Sequence, residues 1–253
     1  MTDTPHLGGL SGRTAIVTGA AQGLGAEIAR ALHADGASIV VADLDADGAA
    51  RTAQELGDRT VAVAVDVRER AAFETMLATA LDTFGALHIV VNNAARTVPR
   101  PFFEIDADEW DDVLAVNLRS VLFGCQVLGG HLRDAGQGGR IVNLGSMAGQ
   151  IGGLVAGAHY AASKAGIGVV TKIAAAALAP YGVTVNTVAP AAIAGPAMDA
   201  MDPAAVQAAV ARIPVGRAGQ PQEVAGVVAW LCSDDAASVT GATYDVNGGL
   251  FMR

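Results

Sequence analysis

The stretch Thr18-Gly-Ala-Ala-Gln-Gly-Leu-Gly25 follows a short apolar run and precedes a longer Ala-rich segment. Its three glycines permit a tight turn and let backbone N–H groups come close to a bound group. The segment after it is a predicted helix, and a helix N-terminus carries partial positive charge. A simple glycine turn is the alternative. We interpret the stretch as a strand–loop–helix junction that binds the pyrophosphate of a dinucleotide. The predicted contacts are Gly19, Gln22, Gly23, Leu24 and Gly25.

An acidic residue, Asp43, stands 18 positions beyond the last of these glycines, at the end of the second apolar run. A carboxylate there can accept hydrogen bonds from the hydroxyls of the adenosine ribose, and it repels a 2′-phosphate. Gln22 is neutral at a position from which a basic side chain could have met that phosphate. We therefore expect NAD as the cofactor, with NADP less favoured.

Short apolar runs rich in Val and Ile alternate with longer Ala-rich segments along the chain. Such runs are typical of strands buried on both faces of a parallel sheet. They lie at residues 14–18, 38–42, 60–65, 88–91, 140–144, 183–188 and 243–246, with predicted helices at 23–34, 46–56, 68–84, 107–133, 159–179 and 221–231. This alternation predicts an α/β fold with a doubly wound, Rossmann-type parallel sheet of seven strands. Without a Pro/Ser-rich linker, residues 1–253 form one predicted catalytic domain, in which residues 191–214 are interpreted as a substrate lid.

The composition excludes several classes of protein. The 253 residues include 16 Lys and Arg against 25 Asp and Glu, a formal net charge of −9 that argues against binding to nucleic acid or to an anionic membrane. The two cysteines, Cys125 and Cys232, fit no zinc or disulfide spacing, and the five histidines show no metal-ligand spacing. We therefore expect no metal. The N-terminus has no signal-peptide pattern, so we expect a cytoplasmic protein.

Tyr160 and Lys164 are four residues apart on a predicted helix, which places them on one face. Lys164 and Lys172 are the only lysines, and they are also the only charged residues between positions 141 and 198. A cation beside a phenol stabilises the phenolate and lowers the tyrosine pKa from about 10 toward neutrality. A general base needs such a shift. The pair therefore predicts acid/base catalysis.

In their order and spacing these motifs resemble those of the short-chain dehydrogenase/reductase family, along essentially the whole chain. The features in register are residues 18–25, Asp66-Val67, Asn92-Asn-Ala-Ala95, Asn117, Ser146, Tyr160, Lys164 and Pro190. The resemblance implies an oxidoreductase that transfers a hydride between a nicotinamide cofactor and a secondary alcohol or ketone.

The resemblance also implies a role for each matching residue. Tyr160 would exchange a proton with the substrate oxygen, and Lys164 would hold the nicotinamide ribose and depress the pKa of Tyr160. Ser146 would hydrogen-bond the substrate oxygen, while Asn117 would distort its helix and hold a water that links Lys164 to solvent. On the cofactor side, Asp66 and Val67 would meet the adenine, and Asn92, Asn93, Ala94 and Pro190 would lie along the dinucleotide.

Three positions depart from the family pattern. Ala95 and Ala191 stand where the family usually has glycine, and Gly195 replaces a threonine that often binds the nicotinamide carboxamide. The methyl group of Ala95 would narrow the floor of the cofactor cleft. Backbone groups near Ile193 would then have to hold the carboxamide. These departures leave the geometry of the lid open.

Two other functions remain open from the residues. A related activity is NADPH-dependent reduction of 3-oxoacyl groups on a carrier protein or CoA, although Ala176 and Ala177 stand where such enzymes often carry an Arg-Glu pair. A catalytically silent dinucleotide-binding scaffold is the other alternative. The residues around the predicted lid are apolar, with Leu154, Val155, Met198 and Met201 as candidate pocket residues. They favour a small apolar or cyclic substrate.

The long predicted helices at 107–133 and 159–179 have many small apolar positions, and the C-terminal tail is apolar. In the family that the chain resembles, such helices pair between subunits. We therefore expect a homotetramer or a homodimer.

Overall fold

The computed structural model describes residues 9–153, 156–195, 198 and 203–252. In these residues seven strands form one parallel sheet in the order β3-β2-β1-β4-β5-β6-β7. The strands are β1 Thr14–Thr18, β2 Ser38–Asp43, β3 Thr60–Ala64, β4 Ile89–Asn92, β5 Gly139–Leu144, β6 Val183–Pro190 and β7 Thr243–Val246. This is the Rossmann-type α/β fold that the alternation of apolar runs predicts, and each predicted strand is present within two residues at either end.

The helices that connect the strands cover both faces of the sheet. They are α1 Gly23–Ala34, α2 Ala46–Leu56, α3 Arg70–Phe84, α4 Ala107–Ala135, α5 Ala148–Ile151, α6 Ala158–Leu178, α7 Pro203–Val210 and α8 Pro221–Cys232. The strand order reverses between β1 and β4, since the chain passes from β3 at one edge back to β4 beside β1. Parallel sheets bind ligands at such a switch point, beyond the carboxyl ends of the strands.

The two faces of the sheet each bury a separate hydrophobic core. Along β1, Ala15 and Val17 contribute to the core beneath α1 and α8, whereas Ile16 contributes to the core beneath α3, α4 and α6. Because consecutive side chains of a strand point to opposite faces, burial of both faces requires apolar residues at every position. This requirement explains the uninterrupted apolar runs in the sequence.

The long helix α4 contains two π-helical segments, Ala115–Arg119 and Gly124–Leu128. The first carries Asn117, and it confirms the predicted distortion of the helix at that residue. In the second, Gly124 approaches β4 so closely that an added Cβ atom would lie 2.2 Å from the side-chain oxygen of Asn92. π-Segments inside α-helices frequently mark functional sites.

Helices α4 and α6 are long and apolar enough to cross a membrane, by length and composition only. In each helix an apolar window of 18 residues meets this criterion. In α4, 50% of that window is buried, and in α6, 33% is buried. Core helices of globular domains pass the same test, and both helices cover the second core. The rest of their apolar surface lies on the outside of the chain.

Candidate active site

The glycine-rich loop between β1 and α1 is held in place by the loop that follows β4. The side-chain amide of Asn93 donates hydrogen bonds to the carbonyls of Thr18 and Gly19, at 2.9 and 3.0 Å. The hydroxyl of Thr18 in turn accepts the backbone N–H groups of Asn93 and Ala94, at 3.0 and 3.1 Å. Asn93 therefore positions the phosphate loop as well as lining the cleft beside it.

The glycines of the loop have the backbone geometry that a pyrophosphate site requires. An added Cβ atom would lie 2.7 Å from the Cα of Ala94 at Gly19 and 2.0 Å from the carbonyl oxygen of Gly19 at Gly25, so neither position has room for a side chain. Gly23 adopts a φ of +58° and faces open space, with nothing within 4 Å of its would-be Cβ. The loop thus combines close backbone packing with an open front at the N-terminus of α1, which suits an anionic group.

A cleft of about 470 Å³ opens above this loop, at the carboxyl ends of β1, β2 and β4. Nine of the predicted cofactor residues line it: Gly19, Gln22, Leu24, Gly25, Asp43, Asp66, Val67, Asn93 and Ala94. Ala95, which was expected to form the floor of the cleft, also lines it. Five further lining residues were not predicted, namely Leu44, Val65, Arg68, Arg96 and Val116. Leu44 and Val65 directly follow β2 and β3, and that position at the carboxyl edge of the sheet could have identified them.

Asp43 lies at the end of β2 with both carboxylate oxygens hydrogen-bonded to the backbone. One oxygen accepts the N–H of Ala21 at 2.9 Å, and the other accepts the N–H of Asp45 at 3.0 Å. No basic side chain pairs with Asp43 within the described residues. Its negative charge thus faces the cleft without a compensating cation.

Asp66 belongs to an ion-pair network at the far end of the cleft. Arg68 bridges Asp66 at 2.6 Å and Asp112 at 2.8 Å, and Arg96 pairs with the second oxygen of Asp112 at 2.8 Å. The hydrogen bond from Arg68 lowers the pKa of Asp66 below its usual range, and burial opposes this only in part. Asp66 is therefore an ionised hydrogen-bond acceptor at neutral pH.

The prediction that Asn92 lies along the cofactor is wrong. Asn92 is 4% exposed and donates a hydrogen bond to the side-chain oxygen of Asn143 at 2.8 Å, across β4 and β5. Asn143 continues this buried polar chain to the hydroxyl of Thr171 at 2.9 Å, which contacts that of Thr187 at 2.8 Å. Consecutive strand residues point to opposite faces, so Asn92 and Asn93 cannot both face the cleft.

Ser146 and Tyr160 line a second cavity of about 640 Å³, beside the carboxyl ends of β5 and β6. The hydroxyl of Ser146 accepts the backbone N–H of Ala148 at 3.1 Å and is hydrogen-bonded to the phenol of Tyr160, so the two hydroxyl groups lie together at the cavity. Thr97, in the loop after β4, also lines this cavity and interacts with the Tyr160 hydroxyl. Thr97 was not predicted from the sequence, and its only signal is its place in the loop that follows β4.

Lys164 lies one helical turn beyond Tyr160 on α6, as the spacing predicts, and its ammonium group is 5.7 Å from the centre of the tyrosine ring. The ammonium group is buried and donates a hydrogen bond to the carbonyl of Leu144 at 2.7 Å. Burial lowers the pKa of Lys164 to about 8. A lysine with a lowered pKa releases its proton readily, so Lys164 can take part in proton transfer beside Tyr160.

The expected lowering of the Tyr160 pKa is wrong for the chain as described. Burial of the phenol raises its pKa, and the hydroxyls of Ser146 and Thr97 oppose this shift only in part. Lys164, whose ammonium group donates to the carbonyl of Leu144, is not among the causes of this shift. Tyr160 is therefore a protonated phenol at neutral pH, ready to donate a proton to a substrate oxygen.

Asn117 joins the loop after β4 to the helix that carries Tyr160. Its side chain accepts the backbone N–H of Arg96 at 2.7 Å and donates to the carbonyl of Arg96 at 3.0 Å. It also donates to the hydroxyl of Ser163 at 3.1 Å, which in turn donates to the carbonyl of Tyr160 at 2.7 Å. The water that Asn117 would hold for Lys164 stays a prediction.

His159, beside Tyr160, is fully buried and holds the first turn of α6. Its Nδ1 accepts the backbone N–H of Tyr160 at 2.8 Å, so the ring proton is on Nε2, which faces Glu109 at 3.2 Å. Arg100 pairs with Glu109 at 2.8 Å and lowers the pKa of that carboxyl. The chain Arg100–Glu109–His159 thus ties α4 to the start of the catalytic helix, in agreement with a structural role for His159.

Gly23, Pro190 and Ile193 lie outside the lining of the 470 Å³ cleft. Pro190 ends β6, where its carbonyl accepts the N–H of Met147, and Ile193 pairs with Gly219 in a short parallel bridge. Gly195 has a φ of +148°, a conformation that threonine rarely adopts, so this departure from the family pattern matches the local backbone.

Of the predicted lid, residues 191–195, 198 and 203–214 are among the described residues. Leu154, Val155 and Met201 are outside the described residues, and Met198 is described but does not line the 640 Å³ cavity. Ala191, Ala192, Ala209 and Arg212 of the segment 191–214 do line it. Among the described residues, no group of three or more His, Cys, Asp or Glu side chains could hold a metal ion.

Comparison with known proteins agrees with this architecture. A family model described as enoyl-(acyl carrier protein) reductase matches residues 19–251. The chain is 38% identical over 244 residues to the 3-oxoacyl-[acyl-carrier-protein] reductase FabG of Vibrio cholerae, with 96% of this chain and 99% of that protein covered. It is 33% identical over 254 residues to sorbitol dehydrogenase of Cereibacter sphaeroides, with coverage of 96% and 99%. It is 39% identical over 249 residues to 3beta-hydroxysteroid dehydrogenase 1 of Eggerthella lenta, with coverage of 96% and 95%.

The chain therefore belongs to the short-chain dehydrogenase/reductase family. It is an oxidoreductase that acts on CH–OH and C=O groups, in a family that uses nicotinamide cofactors. The cleft over the glycine loop has the close backbone packing and open helix N-terminus that such a cofactor requires.

Proposed function

We propose that this protein is an NAD-dependent dehydrogenase or reductase of a small secondary alcohol or ketone. The observation that carries the proposal is that Ser146 and Tyr160 line one largely apolar cavity, with Lys164 one helical turn further on α6. The cavity size is within the range of sites for small molecules.

The side chains of the site have separate tasks in carbonyl reduction. The Ser146 hydroxyl donates a hydrogen bond to the carbonyl oxygen and orients it once the substrate enters between Ser146 and Tyr160. The protonated Tyr160 donates a proton as negative charge develops on that oxygen. Lys164 supplies a nearby cation and, in the bound complex, holds the nicotinamide ribose. A nicotinamide bound in the cleft supplies the hydride in reduction and accepts it in oxidation.

The cofactor preference rests on Asp43. Its unpaired charge faces the cleft, and Gln22 adds no cation that could receive a 2′-phosphate. We expect Asp43→Asn to lower kcat/KM with NAD⁺ by about tenfold to a hundredfold and to raise it with NADP⁺. Asn keeps one oxygen for the backbone N–H of Ala21, so the variant removes the charge together with the hydrogen bond from the N–H of Asp45. The measurement is kcat/KM with each cofactor, with Asp47→Asn as control, and preference of the unaltered protein for NADPH would contradict the proposal.

A panel of neutral ketones and secondary alcohols tests the reaction class, with turnover read from the absorbance of the reduced nicotinamide. We expect turnover of small apolar or cyclic members of the panel. The second candidate is a 3-oxoacyl reductase, which the 38% identity to the Vibrio cholerae enzyme favours. Turnover confined to acyl thioesters would select this second candidate. Cofactor binding without turnover of any compound would instead indicate a silent scaffold.

We also propose that the chain forms a homotetramer or homodimer in the cytoplasm. Val169 and Ile173, one turn apart on α6, are 58% and 66% exposed, and Leu122 on α4 is 39% exposed. A second copy of the chain would cover these apolar side chains. Light scattering at micromolar concentration is expected to give a mass of at least twice the 25.4 kDa of one chain. A single-chain mass across that concentration range would contradict the association.

A further inference from the structure

Among the described residues that line the 640 Å³ cavity beside Ser146 and Tyr160, one is charged, Arg212. Apart from the hydroxyls of Ser146, Tyr160 and Thr97, the other lining residues are glycine, alanine or larger apolar residues, including Met147, Ile151 and Leu250. A neutral apolar substrate has no use for a guanidinium group in such a wall. The charge therefore needs an explanation that the reaction itself does not provide.

Arg212 differs from the other arginines that the structure describes. Each of the others donates a hydrogen bond or forms an ion pair; Arg217, five residues further on, pairs with Glu223 at 2.6 Å, and Arg100 pairs with Glu109 at 2.8 Å. Arg212 makes no ion pair or hydrogen bond through its side chain within the described part of the chain. All five of its N–H donors are thus available to a ligand.

The backbone around Arg212 is anchored, which places this residue beside the cavity. The next residue, Ile213, is 4% exposed, and its N–H bonds to the carbonyl of Val210 at 2.9 Å. The N–H of Val215 bonds to the carbonyl of Gly248 at 3.1 Å, which fixes the segment to the C-terminal tail. Arg212 itself is exposed, and it therefore lies at the mouth of the cavity with its side chain accessible from solvent.

We propose that the substrate carries a carboxylate, and that Arg212 binds this group while Ser146 and Tyr160 act on the carbonyl or alcohol carbon. This inference rests on the proposed function and names its substrate class as a short keto acid or hydroxy acid with an apolar middle. The planar fork of a guanidinium matches a carboxylate in two parallel hydrogen bonds.

Besides a substrate carboxylate, the other anion that would match Arg212 is the phosphate group of a long carrier arm. A cavity of about 640 Å³ is roughly 11 Å across if taken as a sphere, so Arg212 and Tyr160 line one compact space. An anionic group bound at Arg212 is therefore close to the reacting carbon, as the carboxylate is in a short keto acid or hydroxy acid. In a thioester of pantetheine phosphate, the anionic group would be separated from the reacting carbon by an extended arm.

The net charge of −9 does not oppose this assignment. At physiological ionic strength, charges further away than about 8 Å are largely screened. No acidic side chain is among the described residues that line the cavity. Arg212 therefore decides the sign of the local potential at the mouth.

The test compares acids with their neutral esters. Kinetic constants are measured for a series of keto acids from acetoacetate and levulinate to longer homologues, and for their methyl esters, with Arg212→Met, Arg212→Lys and the surface control Arg133→Met. We expect Arg212→Met to raise KM for the best acid about tenfold or more and to leave the ester unchanged. Arg212→Lys keeps part of the preference, and Arg133→Met matches the unaltered protein.

A binding measurement separates this inference from the proposed function. Calorimetry with hexanoate and hexanamide, which do not react, is carried out with the reduced cofactor present. Loss of hexanoate binding in Arg212→Met supports the carboxylate site even if no compound is turned over, in which case the proposed function alone fails. Equal effects of Arg212→Met on acids and esters, or an effect confined to the CoA thioester of a 3-oxo acid, would overturn the inference.

Discussion

Replacement of Tyr160 by phenylalanine is expected to lower kcat by roughly 10²- to 10⁴-fold, the usual contribution of general acid/base catalysis. The phenol is buried, and its raised pKa keeps it protonated at neutral pH, so it is a proton donor beside Ser146 in the cavity. Phenylalanine retains the ring and removes only that proton. The measurement is single-turnover reduction of the best ketone of the panel.

The same variant should bind the dinucleotide with an affinity close to that of the unaltered protein. The glycine loop and Asp43, which line the cleft, are unaltered by the substitution. Tyr181→Phe, which removes an exposed phenol outside the site, is the matched control. Normal turnover by Tyr160→Phe would exclude Tyr160 as the proton donor, whereas a parallel loss of cofactor binding would assign it a structural role.

Replacement of Lys164 by methionine is expected to remove most of the activity, and in addition to change how stability depends on pH. Burial lowers the pKa of this lysine from 10.5 to about 8 in the folded chain. Between these values the unfolded chain holds a proton that the folded chain lacks, so a fall in pH favours the unfolded chain. The destabilisation is complete below pH 8.

The measurable consequence is a pH-dependent difference in the free energy of unfolding. As the pH falls from 9.5 to 7.5, the unaltered protein should lose about 2 kcal/mol of stability relative to Lys164→Met. Loss of the hydrogen bond to Leu144 adds a constant cost to the variant at every pH. Urea unfolding at several pH values separates the two effects.

Lys172→Met is the matched control, because Lys172 is the only other lysine and lies exposed two turns further along the same helix. We expect this variant to keep its activity and to show no pH-dependent gain in stability. If the free energy of unfolding of Lys164→Met changed with pH in the same way as that of the unaltered protein, Lys164 would not be held in a dry environment.

Most of the cofactor cleft could be predicted from sequence, since its residues come directly after strands or in the glycine loop. Gly19, Asp43 and Asp66 fall into this class, because parallel strands bring their carboxyl ends to one edge. Asn92 could not be placed by this reasoning. Whether a residue at a strand end faces the cleft or the adjacent strand depends on the register of the whole sheet, and here Asn92 pairs with Asn143.

For the acid/base pair, too, one part could be predicted from the sequence and another could not. The spacing of Tyr160 and Lys164 correctly places both on one face of α6, since helix geometry is local. The direction of the Tyr160 pKa shift could not be predicted, because it depends on how much water reaches the phenol. The partners of these groups, Thr97 and the carbonyl of Leu144, come from other loops and strands.

By itself, the sequence determined the Rossmann-type sheet, the glycine loop, the acidic end of β2 and the helical spacing of the tyrosine and lysine. These features follow from periodicity and chain connectivity, which are properties of neighbouring residues. Only the tertiary structure decided that Lys164 is buried, that Asn92 faces β5 and that Arg212, beside the cavity, has no side-chain partner among the described residues. Burial and pairing depend on segments far apart in the chain, and a pattern of neighbouring residues does not contain that information.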